Sequence, residues 1–295
     1  MVIYHLGFPA HTYLIAKVYP QARVIECAPL TDTVESIVKQ LDGDKDFLFH
    51  IDLSVQDHVP PQRRELIEAL LSVGVTVRNA YFSDQRKRHL QRISRELGLP
   101  SLTASRDGDP NEMLIVKSDL NVAGGPERRT VKRFPGLVIP ALPSRMTDPC
   151  HYYLAKRCDV AAEIWNDPAL HVEKYVENQR GLVVRSFWNQ GRAVVSKIEN
   201  PRQVVKKNNA NCPRWNYADP VDEFTGVVFG RMRRYADHSR LSFFAADWVV
   251  DEQGSPFIVD LNLTPQWVVN PATETGNKMA EFHMAEIPKR LTYSA

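Results

Sequence analysis

The sequence predicts an α/β N-terminal domain followed by α+β material, and three observations carry that prediction. Strand-like and helix-like segments alternate over roughly the first 80 residues, the pattern of a parallel sheet covered by helices. Apolar runs separated by short Gly-containing turns dominate the second half and read as antiparallel hairpins. The 295 residues, 43% hydrophobic and 24% charged, are enough for one large domain or two to three small ones with a substantial core.

Val2 to Leu6 is the first expected strand, ending at Gly7, and Arg23 to Cys27 is the second. Thr33 to Leu41 is helix-like, and Phe47 to Leu53 is a buried-strand run. Pro61 to Val73 follows as a helix, with Pro near its start, Leu66, Ile67, Leu70 and Leu71 on one face, and Gly74 as its stop. Val75 to Arg78 is a short strand. Asp84 opens a basic helix that runs to Leu97 and ends in Gly98-Leu-Pro100. Strand Met113 to Lys117 leads into the loop Ser118 to Glu127, which contains Gly124 and Gly125. Pro135 to Pro149 is proline-rich and reads as irregular, and Tyr152 to Trp165 reads as a helix. Strands are expected at His171 to Val176 and Gly181 to Trp188, the latter turning at Asn189-Gln-Gly191 into Arg192 to Lys197. Residues 199 to 219 are polar and are expected to form a mobile loop. Val221, Phe224, Val228, Met232 and Tyr235 fall at helical spacing, so a helix precedes the last hairpin.

That hairpin, Phe243 to Asn262, holds the strongest chemical signal. Two apolar runs flank the turn Asp251-Glu-Gln-Gly254. Residues two apart on a strand share a face, so Asp260 and Asn262 point the same way, and pairing about the turn brings Asp247 within reach. Three hard oxygen donors at one place suit Mg²⁺ of the kind that also holds substrate phosphates. Acidic residues also simply end strands, which accounts for Asp251 and Glu252. It does not account for Asp260, which interrupts an otherwise apolar run.

Bulk properties exclude other classes. A net charge of +2 supplies no field for nucleic acid or membrane binding, and no apolar run approaches the roughly 20 residues needed to span a bilayer. The N-terminus lacks the pattern of a secretory signal. Cys27, Cys150, Cys158 and Cys212 are scattered without metal-type spacing, as expected of thiols in a reducing cytoplasm. Arg231, Arg233 and Arg234 fit the solvated face of a helix. His11 follows the first strand, where open parallel sheets place ligands, although a surface histidine is the commoner outcome.

In order along the chain stand Asp84-Gln-Arg-Lys87 with Gly98-Leu-Pro100, Ile115-Val-Lys117 with Gly124-Gly125, Val172-Glu-Lys-Tyr-Val176, Arg185, and Asp247 with Asp260-Leu-Asn262-Leu-Thr-Pro265. This series resembles the ATP-grasp superfamily from about Val75 to Pro265, and Val172 to Val176 resembles the nucleotide hinge of D-alanine–D-alanine ligases. The resemblance implies a pre-ATP-grasp domain at 1–82, a small subdomain with glycine loop and hinge at 83–176, and a C-terminal subdomain with the metal site at 177–295. It implies ATP and Mg²⁺ (or Mn²⁺) as cofactors. Lys87 and Lys117 would meet the phosphates, Gly124 and Gly125 would let the loop backbone approach them, and Glu173, Lys174, Tyr175 and Val176 would hold adenine. Glu177 is the candidate for ribose, although Arg180 occupies the place where the family often has an acid. Asp247, Asp260 and Asn262 would hold the metal, and Arg185 and Lys197 would be the catalytic pair.

The implied reaction joins a small-molecule or peptide carboxylate to an amine or thiol through an acyl phosphate. Asp260 stands where most members carry Glu, a departure shared with the inositol polyphosphate kinase branch. A kinase acting on a hydroxyl and a non-catalytic nucleotide-binding module are therefore the alternatives. Lys206, Lys207, Asn208 and Asn209 lie in a loop that could cover the site, and Trp267 could shape the acceptor pocket or simply pack. A homodimer is compatible with all of these readings.

Overall fold

A computed structural model describes residues 1–60, 62–139, 152–178, 180–199, 214–217 and 220–266. The expectations for Lys206 to Asn209, for Trp267 and for most of the Pro135 to Pro149 stretch lie outside the described residues. No helix among them is long and apolar enough to cross a membrane.

The first part is a parallel sheet of β1 (Val2–Leu6), β2 (Arg23–Glu26), β3 (Asp46–Ile51) and β4 (Thr76–Arg78), in the order β2-β1-β3-β4. One face buries Tyr4, Phe47 and Phe49 under α2 (Val34–Lys39) and α3 (Arg63–Ser72). Thr33 caps α2 through a reciprocal bond with Ser36, which explains why the helix starts there. The other face, through Ile3 and Leu48, packs with α1 (Leu14–Val18) against Phe187, Val194 and Phe243.

The second part contains two antiparallel sheets. The smaller has the order β6-β5-β7, from β5 (Met113–Ser118), β6 (Tyr153–Lys156) and β7 (Leu170–Lys174). The larger has the order β10-β9-β8-β11-β12, from β8 (Leu182–Asn189), β9 (Arg192–Glu199), β10 (Arg214–Tyr217), β11 (Phe243–Val250) and β12 (Pro256–Asn262). Its back face, with Val184, Trp188, Trp248 and Ile258, buries against α4 (Lys87–Glu96) and α6 (Glu223–Ser239). Asp222 caps α6 reciprocally with Thr225. Two buried glutamines brace the molecule, Gln85 between the two parts and Gln91 within the second. Gln85 donates to the Leu53 carbonyl at 2.7 Å and accepts from the Leu263 N–H at 2.9 Å. Gln91 donates to the Ile258 carbonyl at 2.8 Å and accepts from the Leu102 N–H at 2.8 Å.

Three expectations need correction. Tyr152 to Trp165 is not a helix: Tyr153–Lys156 pairs with β5, and short 3-10 turns follow. Strand pairing available only in the folded chain outweighs local periodicity there. The loop expected from Ser118 to Glu127 instead passes directly into α5 (Gly125–Arg133), a polar helix with Pro126 in its first turn. Its lack of an apolar stripe hid it, although a proline in the first turn is a helix-start signal. Within 199–219, Arg214–Tyr217 forms a strand on β9.

Candidate active site

A cavity of about 380 Å³ lies between the smaller sheet and the front of the larger one. Leu102, Ile115, Val183, Val249 and Val259 give it an apolar interior, and Lys87, Lys117, Glu173, Asp247, Asp260 and Asn262 supply polar groups. Tyr175 and Val176 line it just beyond β7, as does Lys174 at the end of that strand.

On the smaller-sheet wall, Lys117 Nζ is 2.5 Å from Glu173 Oε2, with both side chains almost fully buried. His171 Nε2 lies 3.5 Å from Glu173 Oε1. Burial raises the Glu173 pKa against the opposing pull of Lys117. Burial and then the Lys117 charge depress the His171 pKa to about 3, so the imidazole is neutral at pH 7. Lys174 points outward to Glu112 at 3.6 Å.

Lys87 enters at the start of α4, and the end of β5 fixes it there. The Lys87 N–H donates to the Asp119 carbonyl at 3.1 Å, and the Arg88 N–H donates to Asp119 Oδ1 at 2.9 Å. Lys87 Nζ donates to the Leu120 carbonyl at 3.3 Å and lies 3.9 Å from Asp260 Oδ1. Burial opposes its charge, but the Tyr152 phenol, Asp260 and Asp119 outweigh burial and raise its pKa.

On the larger-sheet wall, Asp247 and Asp260 are direct cross-strand partners, and Ala245 faces Asn262. The pairing register shifts between Asp247 and Trp248, so that Val259 is an extra residue on β12. This bulge lets Val259 and Asp260 both reach the cavity. Arg185, opposite Asp247 on β8, grips both its oxygens at 2.9 and 2.8 Å. Burial raises the Asp247 pKa and Arg185 opposes it.

This wall suits a hard divalent cation. Asp260 Oδ1 is buried, makes no hydrogen bond and has Lys87 only at 3.9 Å, which leaves its lone pairs open to a metal. Asn262 Oδ1 accepts from the Thr264 N–H at 2.7 Å, and each oxygen of Asp247 keeps a second lone pair. Among the described residues no three His, Cys, Asp or Glu side chains stand together. Two carboxylates and an amide therefore fit an ion that retains water or phosphate oxygens better than one needing a complete protein cage.

Gly124 and Gly125 are outside the lining, but Asn121, Val122 and Pro126 around them belong to it. Val122, Ala123 and Gly124 have φ of 47°, 48° and 74°, so the loop enters α5 through three left-handed residues. Such backbone costs on the order of 1 kcal/mol at each non-glycine position and tends to gather at ligand sites.

The structure does not bring every expected residue to the cavity. Glu177 is exposed and outside the lining, and His11 is likewise outside it. Lys197 pairs with Val184, which places it on the back of the larger sheet. There its Nζ meets Asp222 at 2.8 Å, above Tyr217 and Phe224. Asp52, which sequence reasoning passed over, does line the cavity. It is an acid between Ile51 and Leu53 in a largely apolar run, the same signal that exposed Asp260.

No protein-family model matches the chain, and no curated protein matches it in sequence. Solved structures match over nearly its whole length. D-alanine–D-alanine ligase from Bacillus anthracis complexed with ATP aligns with a TM-score of 0.51 at 11% identity, covering 98% of this chain and 93% of that one. The ATP-grasp ligase PsnB, complexed with a minimal precursor, Mg and ADP, aligns with a TM-score of 0.54 at 11% identity, covering 96% of each chain. A likeness at such low identity is one of architecture: the chain has the ATP-grasp fold, an α/β N-terminal part followed by two antiparallel sheets that enclose the cavity.

Proposed function

We propose that the protein is an ATP- and Mg²⁺-dependent ligase that joins a carboxylate to an amine or thiol through an acyl phosphate. The observation that carries this reading is the meeting, in one cavity, of an apolar slot, two buried lysines and an Asp260 oxygen that makes no hydrogen bond. The fold is that of ATP-grasp ligases. Residues 1–82, 83–176 and 177–295 would be its three units.

Roles follow from position. Leu102, Ile115, Val183 and Val249 offer a flat base an apolar slot, with the backbone at Tyr175 and Val176 along its edge. Lys117 and Lys87 are fixed positive points for the phosphates, held by Glu173 and by the turn after β5. The loop before Gly124 and Gly125 flanks the same end. Asp247, Asp260 and Asn262 would hold Mg²⁺, which neutralises phosphate charge when bound. Arg185, outside the lining and bonded to Asp247, would hold the carboxylate or the charge that develops as it takes the phosphoryl group. Orientation and charge compensation supply the rate, and no protein nucleophile is required.

Phosphorylation of a hydroxyl in the same cavity is the second reading, favoured by Asp260, one methylene shorter than the Glu that usually stands there. Screening acid and amine panels with MgATP separates the two. Release of inorganic phosphate only when both co-substrates are present, with an amide or thioester formed, is the expected result. A stably phosphorylated acceptor without phosphate release would replace the ligase by a kinase. Asp260→Ala is expected to lower turnover by about a hundredfold or more while the fold is kept. Undiminished turnover would refute the metal assignment.

A further inference from the structure

We propose that Asp52 is the carboxylate that receives the second substrate, a primary amine that binds as its ammonium ion and becomes the nucleophile once one proton has passed from its nitrogen to an Asp52 oxygen, and that this substrate is not a thiol. The inference rests on the ligase reading and adds to it a substrate class and the residue that selects it.

Topology supplies the first argument. With the order β2-β1-β3-β4, the chain leaves β1 toward one side of the sheet and returns to β3 on the other. Connections therefore diverge from the C-terminal ends of β1 and β3, and an open parallel sheet presents its ligand crevice at such a point. Gly7 and Asp52 are the residues that follow those two strands.

The second argument is proximity to the reacting end. Asp52 lines the cavity shared by Lys87, Asp260 and Asn262. The Thr264 hydroxyl is 3.1 Å from Asp52 Oδ1 and 3.1 Å from Asn262 Oδ1. A single hydroxyl thus links Asp52 to the candidate cation set.

The third is that Asp52 is built into place. The Tyr13 hydroxyl donates to Asp52 Oδ2 at 3.0 Å and accepts the Phe8 N–H at 2.9 Å. This arrangement needs glycine at position 7, where a Cβ would lie 2.4 Å from the Tyr13 hydroxyl and 3.1 Å from Asp52 Cβ. Arg129 approaches Oδ2 only at 3.4 Å, is 46% exposed, and stacks 4.3 Å above the Phe8 ring. A carboxylate offers about four lone-pair directions, so an ammonium N–H finds a place beside these donors. Burial raises the Asp52 pKa, the mark of a carboxylate whose counter-charge is incomplete. An ammonium ion completes it, whereas a thiolate is repelled.

The test is equilibrium binding to the full chain, followed by NMR, of ethanolamine, glycinamide and alaninamide against 2-mercaptoethanol. Each is titrated with and without MgADP. The amines are expected to bind saturably and the thiol not to bind. Asp52→Asn, which keeps the size of the side chain, is expected to weaken amine binding about tenfold or more while MgADP binding is unchanged. Tyr13→Phe, which removes only the orienting hydroxyl, is expected to weaken it by a few-fold. Glu68→Gln, a charge control on the exposed face of α3, is expected to leave it unaltered. Equal amine binding by wild type and Asp52→Asn, preference for the thiol, or no amine binding beside normal MgADP binding would each overturn the inference and leave the ligase reading standing. Amine binding by a wild-type chain that takes no MgADP would instead overturn the ligase reading.

Discussion

The two walls of the cavity hold similar residues in opposite electrostatic conditions. On the smaller sheet, Lys117 and Glu173 are an ion pair in direct contact at 2.5 Å, nearly shut off from solvent, although neither Glu173 oxygen makes a well-formed hydrogen bond. On the larger sheet, Asp260 is partly exposed, lies 3.9 Å from Lys87, and leaves Oδ1 without a hydrogen bond. The acid on the first wall has a counter-ion in contact, and the acid on the second has one only at a distance, which leaves room for something that binds. A buried ion pair in contact serves the folded state, because removing one partner strands the other in a low dielectric. An acid left short of partners costs the folded state and serves the ligand.

The sharpest way to break this contrast is at Glu173. Glu173→Ala leaves the Lys117 ammonium buried without its counter-charge, and a loss of about 3–5 kcal/mol is expected. Urea unfolding followed by tryptophan fluorescence measures it. If Glu173→Ala costs no more than Asp260→Ala, the two walls are alike and the contrast fails.

A pH titration of stability sharpens the same wall. His171 is neutral in the folded protein, with its pKa depressed to about 3 from 6.5 by burial and then by Lys117. Between those values the unfolded chain binds the proton and the folded one does not, so this contribution falls as pH falls from about 6.5 toward 3 and is constant below. Glu173, with its raised pKa, titrates in the opposite sense above its ordinary value of 4.5. The difference between wild type and His171→Gln therefore isolates the imidazole. It is expected to reach a few kcal/mol near pH 4 and to vanish above pH 7. A difference independent of pH would mean that the folded ring titrates as the unfolded one does, near 6.5.

Sequence makes each wall legible only in part. Strand parity puts Asp260 and Asn262 on one face, but counting from the turn sets Val259 opposite Asp247, and the bulge at Val259 is what pairs Asp247 with Asp260. The Lys117–Glu173 contact joins β5 to a strand that follows after more than 50 residues, and no local pattern encodes such a pairing. Tyr153–Lys156 failed for the same reason, since its strand exists only through β5. α5 failed because its face carries charges instead of an apolar stripe. Lys197 was a different kind of miss. The turn at Asn189-Gln-Gly191 sets Asn189 opposite Arg192, hence Arg185 opposite Ser196 and Val184 opposite Lys197. Counting back from that turn puts Lys197 and Arg185 on opposite faces.

The smallest expected effect comes from behind the larger wall. Lys197 faces away from the cavity, where its ammonium meets Asp222 at 2.8 Å and lies 4.7 Å from the center of the Phe224 ring. Asp222 also caps α6, and hydrogen bonds from Lys197 and then from the Thr225 backbone hold its pKa down to about 2. The pair is solvent-accessible, so its loss is expected to cost only about 0.2–1 kcal/mol. Lys197→Met keeps the stem that packs on Tyr217 and Phe224 while removing the charge. Turnover of MgATP is expected to stay within about twofold of wild type, since a charge on the far face is separated from the phosphates by the sheet and screened by solvent. A fall approaching that of Asp260→Ala would show that Lys197 reaches the substrate, and would require β9 to shift by one residue against β8.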